Sequence, residues 1–407
     1  MIFVDIIGDL GDQLFQYATA RSLSIDKNTD FLMNTGNSDA KNENSFNFKL
    51  NQFNIDCDRQ INETEINDNA SEVIGSYDFI DFNEFSGDIY LKGQWENENY
   101  FKHNKLAIRN DLTVITPPNK KNSSMLDEIN DSESVCLSLR CKECSDSYFL
   151  AQIGMCTQDY YKNAINFMAS KVKNPTFYIF SDDVDWMEDN VKLDFPCAYI
   201  NFNETGKEHE ELRLMYSCKH FILANTNLSW WGAWLGNYKN KIVFAPNPWF
   251  NNFKKQSILC PEWIQLRCDC SDLFKKSNKT VFELVTNDDL NKIMYADFKV
   301  GIGKWGISLQ SQSNHSSFKL KLDENFKLIG NEYVIELKLY STKDNLITID
   351  CGDSNKIVLG YRRGYSVKYV HLKDINLNNL TFEINDDTLV IENFTIKSVD
   401  YNFNLLM

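Results

Sequence analysis

Between residues 135 and 245 the chain alternates short apolar runs with segments of helical period, and that alternation leaves few folds open. Residues 135–139, 176–180, 221–224 and 241–245 read as strands, the last stopped by Pro246 and Pro248. Residues 160–172 and 210–217 repeat apolar side chains three and four apart, as one helix face requires. Strands that are apolar throughout are buried on both faces, and helices between them predict a parallel sheet of βαβ units. A similar block opens the chain: a strand over 2–7, a Gly-rich turn, a helix over 13–24, and a strand in 88–96 leading into a loop. Pro117-Pro118-Asn119-Lys120-Lys121-Asn122 is the linker candidate, because paired prolines stop regular structure. Two such blocks predict two facing nucleotide-binding-like domains with a cleft between them.

Beyond about residue 300 the texture changes. Residues 318–322, 333–340, 346–350, 356–361, 365–371, 380–384 and 388–399 are short alternating runs rich in β-branched and aromatic residues, divided by Asn/Asp/Gly turns. That spacing predicts an antiparallel β-sandwich. The expected class is therefore α/β, with Rossmann-type domains over 1–120 and 121–299 and a β-sandwich over 300–407, for which sugar binding and assembly are the candidate roles.

Charge narrows the partners. The net charge is −15, and residues 301–407 carry 13 acidic against 12 basic side chains, so nearly all of it falls on the first 300 residues. An acidic catalytic region argues against nucleic acid or an anionic membrane as partner, and an anionic donor would need locally placed cations. No apolar run approaches the roughly 20 residues of a transmembrane helix. Met1 leads straight into a strand without a basic leader, so a cytoplasmic protein is expected. The eleven Cys then read as reduced thiols. Cys141-Lys142-Glu143-Cys144 and Cys268-Asp269-Cys270 have ligand-like spacing but no matched partner pair, and no metal site is expected.

The residues suited to chemistry gather at strand ends. Asn225-Thr226-Asn227-Leu228-Ser229-Trp230-Trp231 follows the apolar run 221–224, where a ligand meets the carboxyl end of a strand and the start of a helix. Asn225, Thr226 and Ser229 are placed to hold a phosphate or a sugar hydroxyl. Gly8-x-x-Gly11 fits either a close backbone approach to a ligand or simply a compact strand-to-helix turn, and Gln13 adds a polar group in the first helical turn. Arg140, ending the strand 135–139, fits a phosphate clamp or a surface ion pair. Asp182 in Ser181-Asp182-Asp183 fits ribose recognition or helix capping, and Glu211 a nucleoside contact or solvation. Trp231 and Trp234 read as core, whereas Trp230, nearest the helix start, is the one placed to face a sugar ring. Gly-x-Ser-x-Gly, His-Glu-x-x-His and Walker loops are absent, so those hydrolase chemistries are unsupported.

In this order the segments resemble the α-1,2-fucosyltransferases of glycosyltransferase family 11. The matches are Gly11 with residues 13–18, Leu91-Lys92-Gly93-Gln94-Trp95-Glu96, Tyr160-Tyr161 with Ala164-Ile165, residues 180–183, and Leu214-Met215 through Trp231-x-Ala233-Trp234-Leu235. The resemblance covers roughly residues 1 to 250. It implies a GT-B-like pair of domains, GDP-fucose held mainly by the second, a galactose-ended glycan entering from the first, and inversion at the fucose anomeric carbon without metal or cofactor. Arg140 aligns with the first Arg of the family's His-x-Arg-Arg-Gly-Asp-Tyr motif, the one expected at the phosphates. Here Ser138 stands for that His, Cys141 for the second Arg, and Lys142-Glu143-Cys144 for Gly-Asp-Tyr. Asp12 replaces an Asn of the first turn, and Asn227 a Ser. Together these readings assign catalysis to Arg140 and Asp12. Donor binding falls to Gly11, Gln13, Ser138, Asp182, Glu211, Asn225, Thr226, Asn227, Ser229 and Trp230. A weakened glycan-binding protein that keeps the fold, and a transferase using another nucleotide sugar, are the alternatives.

Overall fold

The structure is a computed structural model. It describes residues 1–36, 48–56, 59–61, 63–75, 79–140, 156–250, 258–268, 279–284, 292–303, 306–312, 316–320, 332–341, 345–350, 356–361, 363–373, 377, 380–384, 388–398 and 405–406.

The first block holds β1 (Ile2–Asp5), α1 (Leu10–Asp26), β2 (Phe31–Asn34), β3 (Gln60–Ile61), β4 (Ser71–Ile74), β5 (Ile89–Lys92) and α2 (Lys105–Asp111). Its sheet is parallel throughout, in the order β3-β2-β1-β5-β4. Ile2, Phe3 and Val4 are buried, as a central parallel strand demands. Helix α1 starts ahead of the expected residue 13 because Asp9 and Asp12 close a capping box, the Asp9 N–H donating to Asp12 Oδ2 at 3.2 Å.

The second block runs α3 (Lys120–Asp131), β6 (Glu133–Leu139), α4 (Gln158–Lys171), β7 (Pro175–Ser181), α5 (Val184–Asn190), β8 (Val191–Lys192), β9 (Cys197–Tyr199), α6 (Glu208–Ser217), β10 (His220–Ile222), α7 (Asn227–Leu235), β11 (Val243–Asn247) and β12 (Ile264–Arg267). The order β12-β11-β10-β6-β7-β9 is again wholly parallel. The chain winds outward from β6 to β9 on one side, then returns to fill β10 to β12 on the other. The strand order therefore reverses between β6 and β10, where an open sheet of this kind leaves a crevice.

Two expectations need correction here. The stretch 117–122 is linker only through Pro118, because Asn119 accepts the Asn122 N–H at 2.9 Å and caps α3. Strand β11 also continues through Pro246 instead of stopping there. Its neighbour β10 pairs only as far as Phe244, so the missing proline N–H breaks no ladder bond on that side, while Pro246 still sits opposite Leu266 of β12.

The remaining chain forms two antiparallel sheets. One is β15 (Phe298–Gly303), β16 (Gly306–Ser311), β23 (Thr388–Ser398), β18 (Glu332–Ser341) and β21 (Gly364–Lys373), in that order, with β13 (Lys279–Leu284) on β23. The other is β14 (Ile293–Ala296), β17 (Ser316–Leu320), β22 (Thr381–Ile384), β19 (Asn345–Asp350) and β20 (Lys356–Tyr361). This region begins at Lys279, ahead of the expected boundary at 300. Inward side chains of both sheets, among them Leu337, Leu339, Phe382 and Phe394, share one core. A separate cluster joins the first block to one face of the second sheet, and a third covers that sheet's other face. A last strand, β24 (Leu405–Leu406), pairs with β8. Among the described residues no helix is long and apolar enough to cross a membrane.

Candidate functional site

Helix α7 is apolar and buried on every side from Trp230 to Leu235, as a core helix is. Trp230, Trp231 and Trp234 lie at 0–1% exposure. Phe15 of α1 packs between two of them, its ring centroid 4.7 Å from Trp230 and 4.8 Å from Trp231. Each indole N–H then finds a buried acceptor: Trp231 Nε1 donates to Gly11 O at 3.1 Å, Trp234 Nε1 to Glu98 Oε2 at 3.3 Å, and Trp230 Nε1 to Ile258 O at 2.8 Å. Trp230 is thus core, and the expectation that it faces a sugar ring is corrected: no part of its side chain reaches the surface.

This packing brings the N-termini of α1 and α7 against each other. A Cβ at Gly11 would lie 2.5 Å from Asn227 Cβ and 3.0 Å from its carbonyl carbon, so the bare Cα of Gly11 admits the facing helix. Gly8, at φ +83°, makes the turn before it. Gln13 is fully buried; it donates to Gly8 O at 3.0 Å and accepts the Lys49 N–H at 2.9 Å. Gln16 does the same for the neighbouring strand end, accepting from Ile7 N and donating to Gly93 O. The polar first turn of α1 therefore fixes loops.

Across this junction Asn227 presents its side-chain amide to two carboxylates. Nδ2 donates to Asp12 Oδ1 at 2.7 Å and to Glu96 Oε1 at 2.8 Å. Asp12 follows β1 and Glu96 follows β5, so the acids mark the carboxyl ends of adjacent central strands. Burial pushes the Asp12 carboxyl up and the nearby Glu96 charge adds to it, against the opposing pull of the Asn227 hydrogen bond. Lys49 spans the same cleft, 3.7 Å from Asp9 and 3.3 Å from Glu208 at the start of α6.

At the crevice of the second sheet, Arg140 leaves β6 and Asn225 leaves β10. Arg140 Nη1 donates to Asn225 O at 3.0 Å. Asn225, 5% exposed, donates through Nδ2 to Trp249 O at 3.3 Å and accepts from Cys156 Sγ at 3.6 Å. Thr226 Oγ1 accepts the Ser229 N–H and caps α7. Ser229, buried, donates to Ala224 O at 2.6 Å. Ser138 is buried on β6. Asp182 stands exposed past β7, next to a Ser181–Asp183 turn. Glu211 is partly buried on the first turn of α6, and burial with the adjacent Glu208 charge raises its carboxyl to about 7.

The expected residues thus fall into two groups. Gly11, Gln13, Ser138, Asn225, Ser229 and Trp230 build the walls, while Asp12, Arg140, Asp182, Glu211, Thr226 and Asn227 keep surface exposed at the strand ends. Lys49 and Glu96 carry cleft charge that sequence reasoning did not assign. Glu96 had a signal, since it ends the quoted Leu91–Glu96 segment; Lys49 had none. Cys141 to Cys144 lie outside the described residues. Among the described residues, Glu98, Cys260 and Glu262 group closely enough to share a metal ion. They sit beyond the C-terminal end of α7, where burial pushes the Cys260 thiol up and the two acids add to it.

Two wholly parallel sheets, joined where the Asn227 amide meets Asp12 beyond β1, define a mixed α/β protein with charged groups gathered at its strand ends. The family model described as glycosyl transferase family 11 matches residues 1–267, and the chain belongs to that family of glycosyltransferases. Among its relatives, the α-1,2-colitosyltransferase of Escherichia coli is 28% identical over 292 residues, covering 65% of this chain and 99% of that protein. The O-antigen biosynthesis glycosyltransferase WbnK of Escherichia coli is also 28% identical, over 64% of this chain and 98% of its own length. Galactoside α-(1,2)-fucosyltransferase 1 of Aotus azarae matches at 23% over 122 residues, 28% of this chain and 33% of that one. Of solved structures, a mutant family 29 carbohydrate-binding module aligns with 31% of this chain and 99% of its own at 12% identity, with a TM-score of 0.24, too slight a likeness to bear on the fold.

Proposed function

We propose that this glycosyltransferase moves fucose from GDP-fucose to the 2-hydroxyl of a terminal galactose on a glycan, with inversion. We take residues 1–120 and 121–268 as the acceptor-side and donor-side halves of a GT-B-like pair, and residues 279–407 as a β-sandwich. The observation that carries the reading is Arg140 bonded to Asn225 where the second strand order reverses, two residues before Asn227, whose amide holds Asp12 of the first block. In such a site the acceptor oxygen bonds to the sugar's anomeric carbon as the bond to the β-phosphate oxygen breaks. Negative charge grows on the departing diphosphate, and a preorganised guanidinium opposes it better in the transition state than before it. The acceptor's proton passes to a carboxylate, and Asp12, with its raised proton affinity, is suited to take it.

The test is GDP release from GDP-fucose with a galactoside acceptor. Arg140→Ala is expected to lower turnover about 10²–10³-fold, the cost of losing one preorganised charge donor; undiminished turnover would remove Arg140 from the mechanism. A second reading, transfer of another activated sugar such as colitose, is favoured by the name of the Escherichia coli relative. Calorimetric titration with a panel of nucleotide sugars separates the two.

A further inference from the structure

The outward face of the sheet containing β18, β21 and β23 carries a composition that its fold does not require. Along β18, Leu337 and Leu339 point into the core at 2% and 0% exposure, so Glu336, Lys338 and Tyr340 point outward. Their partners across β21 are Tyr369, Val367 and Tyr365. Tyr340 and Tyr365 stand directly opposite each other, 51% and 58% exposed, and cross-strand partners lie close enough for their rings to form one surface.

Polar groups ring this aromatic pair in a fixed arrangement. Glu336, 7% exposed, is held by Tyr369, whose hydroxyl donates to Oε2 at 2.7 Å, and by Lys338 Nζ at 3.0 Å from Oε1. Between Lys338/Asn393 and Leu339/Ile391 the β18–β23 register slips by one residue, leaving Glu392 without an opposite number. Such a bulge re-aims a side chain, and here Glu392 is exposed and hydrogen-bonds the Tyr365 hydroxyl.

We infer that this face is a binding platform for a neutral saccharide chain, with Tyr340 and Tyr365 as the stacking surface, Glu392 and Lys338 as hydroxyl partners, and the buried Glu336 holding Lys338 in place. The flat apolar face of a pyranose matches an exposed ring, and its rim of hydroxyls matches alternating carboxylate, ammonium and phenol groups. A protein partner is a poorer match, because the core of a protein interface is depleted in charges, whereas here the rings are interleaved with them. Two carboxylates, Glu336 and Glu392, against the single ammonium of Lys338 disfavour anionic glycans and nucleic acid at this face. The inference rests on the reading of this chain as an enzyme of glycans, and it gives the antiparallel region the task of holding the polymer whose end the cleft modifies.

The experiment is affinity electrophoresis of the full chain through gels containing galactan, mannan or β-glucan, with polygalacturonate as the charged control. Donor turnover is measured on the same preparations with a short soluble acceptor. Retardation by a neutral polysaccharide is expected, weakened about tenfold or more in a Tyr340→Ala/Tyr365→Ala double variant, as for loss of central aromatic anchors. Glu392→Gln is expected to weaken it less, and turnover on the short acceptor is expected to stay unchanged in both variants. No retardation by any neutral gel, equal retardation of the double variant, or retardation by polygalacturonate alone would overturn the platform. Loss of turnover in the wild-type chain with retardation intact would instead count against the transferase reading and leave the platform standing.

Discussion

At the residue scale, the cleft concentrates ionisable groups whose proton affinities are moved by burial and neighbours. Asp12 is raised, so below its shifted pKa it holds a proton and cannot accept one from an acceptor hydroxyl. The acid limb of the turnover–pH profile should therefore follow Asp12. Asp12→Asn is expected to flatten that limb and lower turnover about 10²–10⁴-fold, the usual worth of a positioned base. A variant that keeps the limb would move the role to Glu96, which shares the Asn227 amide. Glu211 makes a different prediction, about stability. Its carboxyl rises from the ordinary 4.5 to about 7 in the folded chain, so it contributes stability in full below 4.5 and loses that contribution as pH climbs through 7. Glu211→Gln should match the wild type near pH 4 and exceed it at pH 8 by about 1–3 kcal/mol, read from urea midpoints at both pH values. Equal gaps at the two pH values would mean that Glu211 is ordinarily solvated.

At the scale of elements, local signals and distant contacts part company. The longer strands and helices between 133 and 222 are legible because period and capping are local: Thr157, for instance, accepts the Tyr160 N–H and starts α4 where the helical pattern begins, whereas the short α5, β8 and β9 carry too few residues to show a period. Strands β13 to β16 were not read. In β15 and β16, Gly301, Gly303 and Gly306 interrupt the alternation that marks a strand, and pairing supplies what the pattern lacks. The candidate site divides the same way. Arg140 and the 225–229 cluster were visible as strand ends, but the bond from Asn227 to Asp12 joins residues 215 positions apart and leaves no local trace. Gly11 fits in sequence either a ligand approach or a compact turn, and what approaches its bare Cα is Asn227. Gly11→Ala tests that contact, since backbone on α7 cannot yield as a flexible side chain would. It is expected to cost about 1–3 kcal/mol, as overpacking does, and to lower turnover by parting Asp12 from Asn227. A variant with wild-type melting temperature and turnover would show that the two helices slide freely.

At the scale of the whole molecule, the packing predicts how the chain comes apart. Phe15 and Phe101 of the first block and the tryptophans of α7 in the second lie in one cluster, whereas the antiparallel sheets keep a core of their own. Arg109, on α2, extends the first junction by donating to the carbonyls of Trp234, at 3.2 Å through Nε, and Gly236, at 2.9 Å through Nη2, where α7 leaves its last carbonyls open. The family model ends at residue 267, with the parallel sheets, and leaves the antiparallel sheets outside it. Calorimetric unfolding should accordingly show two transitions: one for the paired parallel sheets, which melt together, and one for residues 279–407. Phe15→Ala empties a site between Trp230 and Trp231 and is expected to lower the first transition by about 3–5 kcal/mol, the range for a buried Phe truncated to Ala. The second should stay where it is, because among the described residues the antiparallel sheets bury a core of their own, separate from the cluster that holds Phe15. If both transitions fell together, the antiparallel sheets would be coupled to the catalytic region more tightly than their separate cores indicate, and polymer binding and transfer would have to be treated as one cooperative unit.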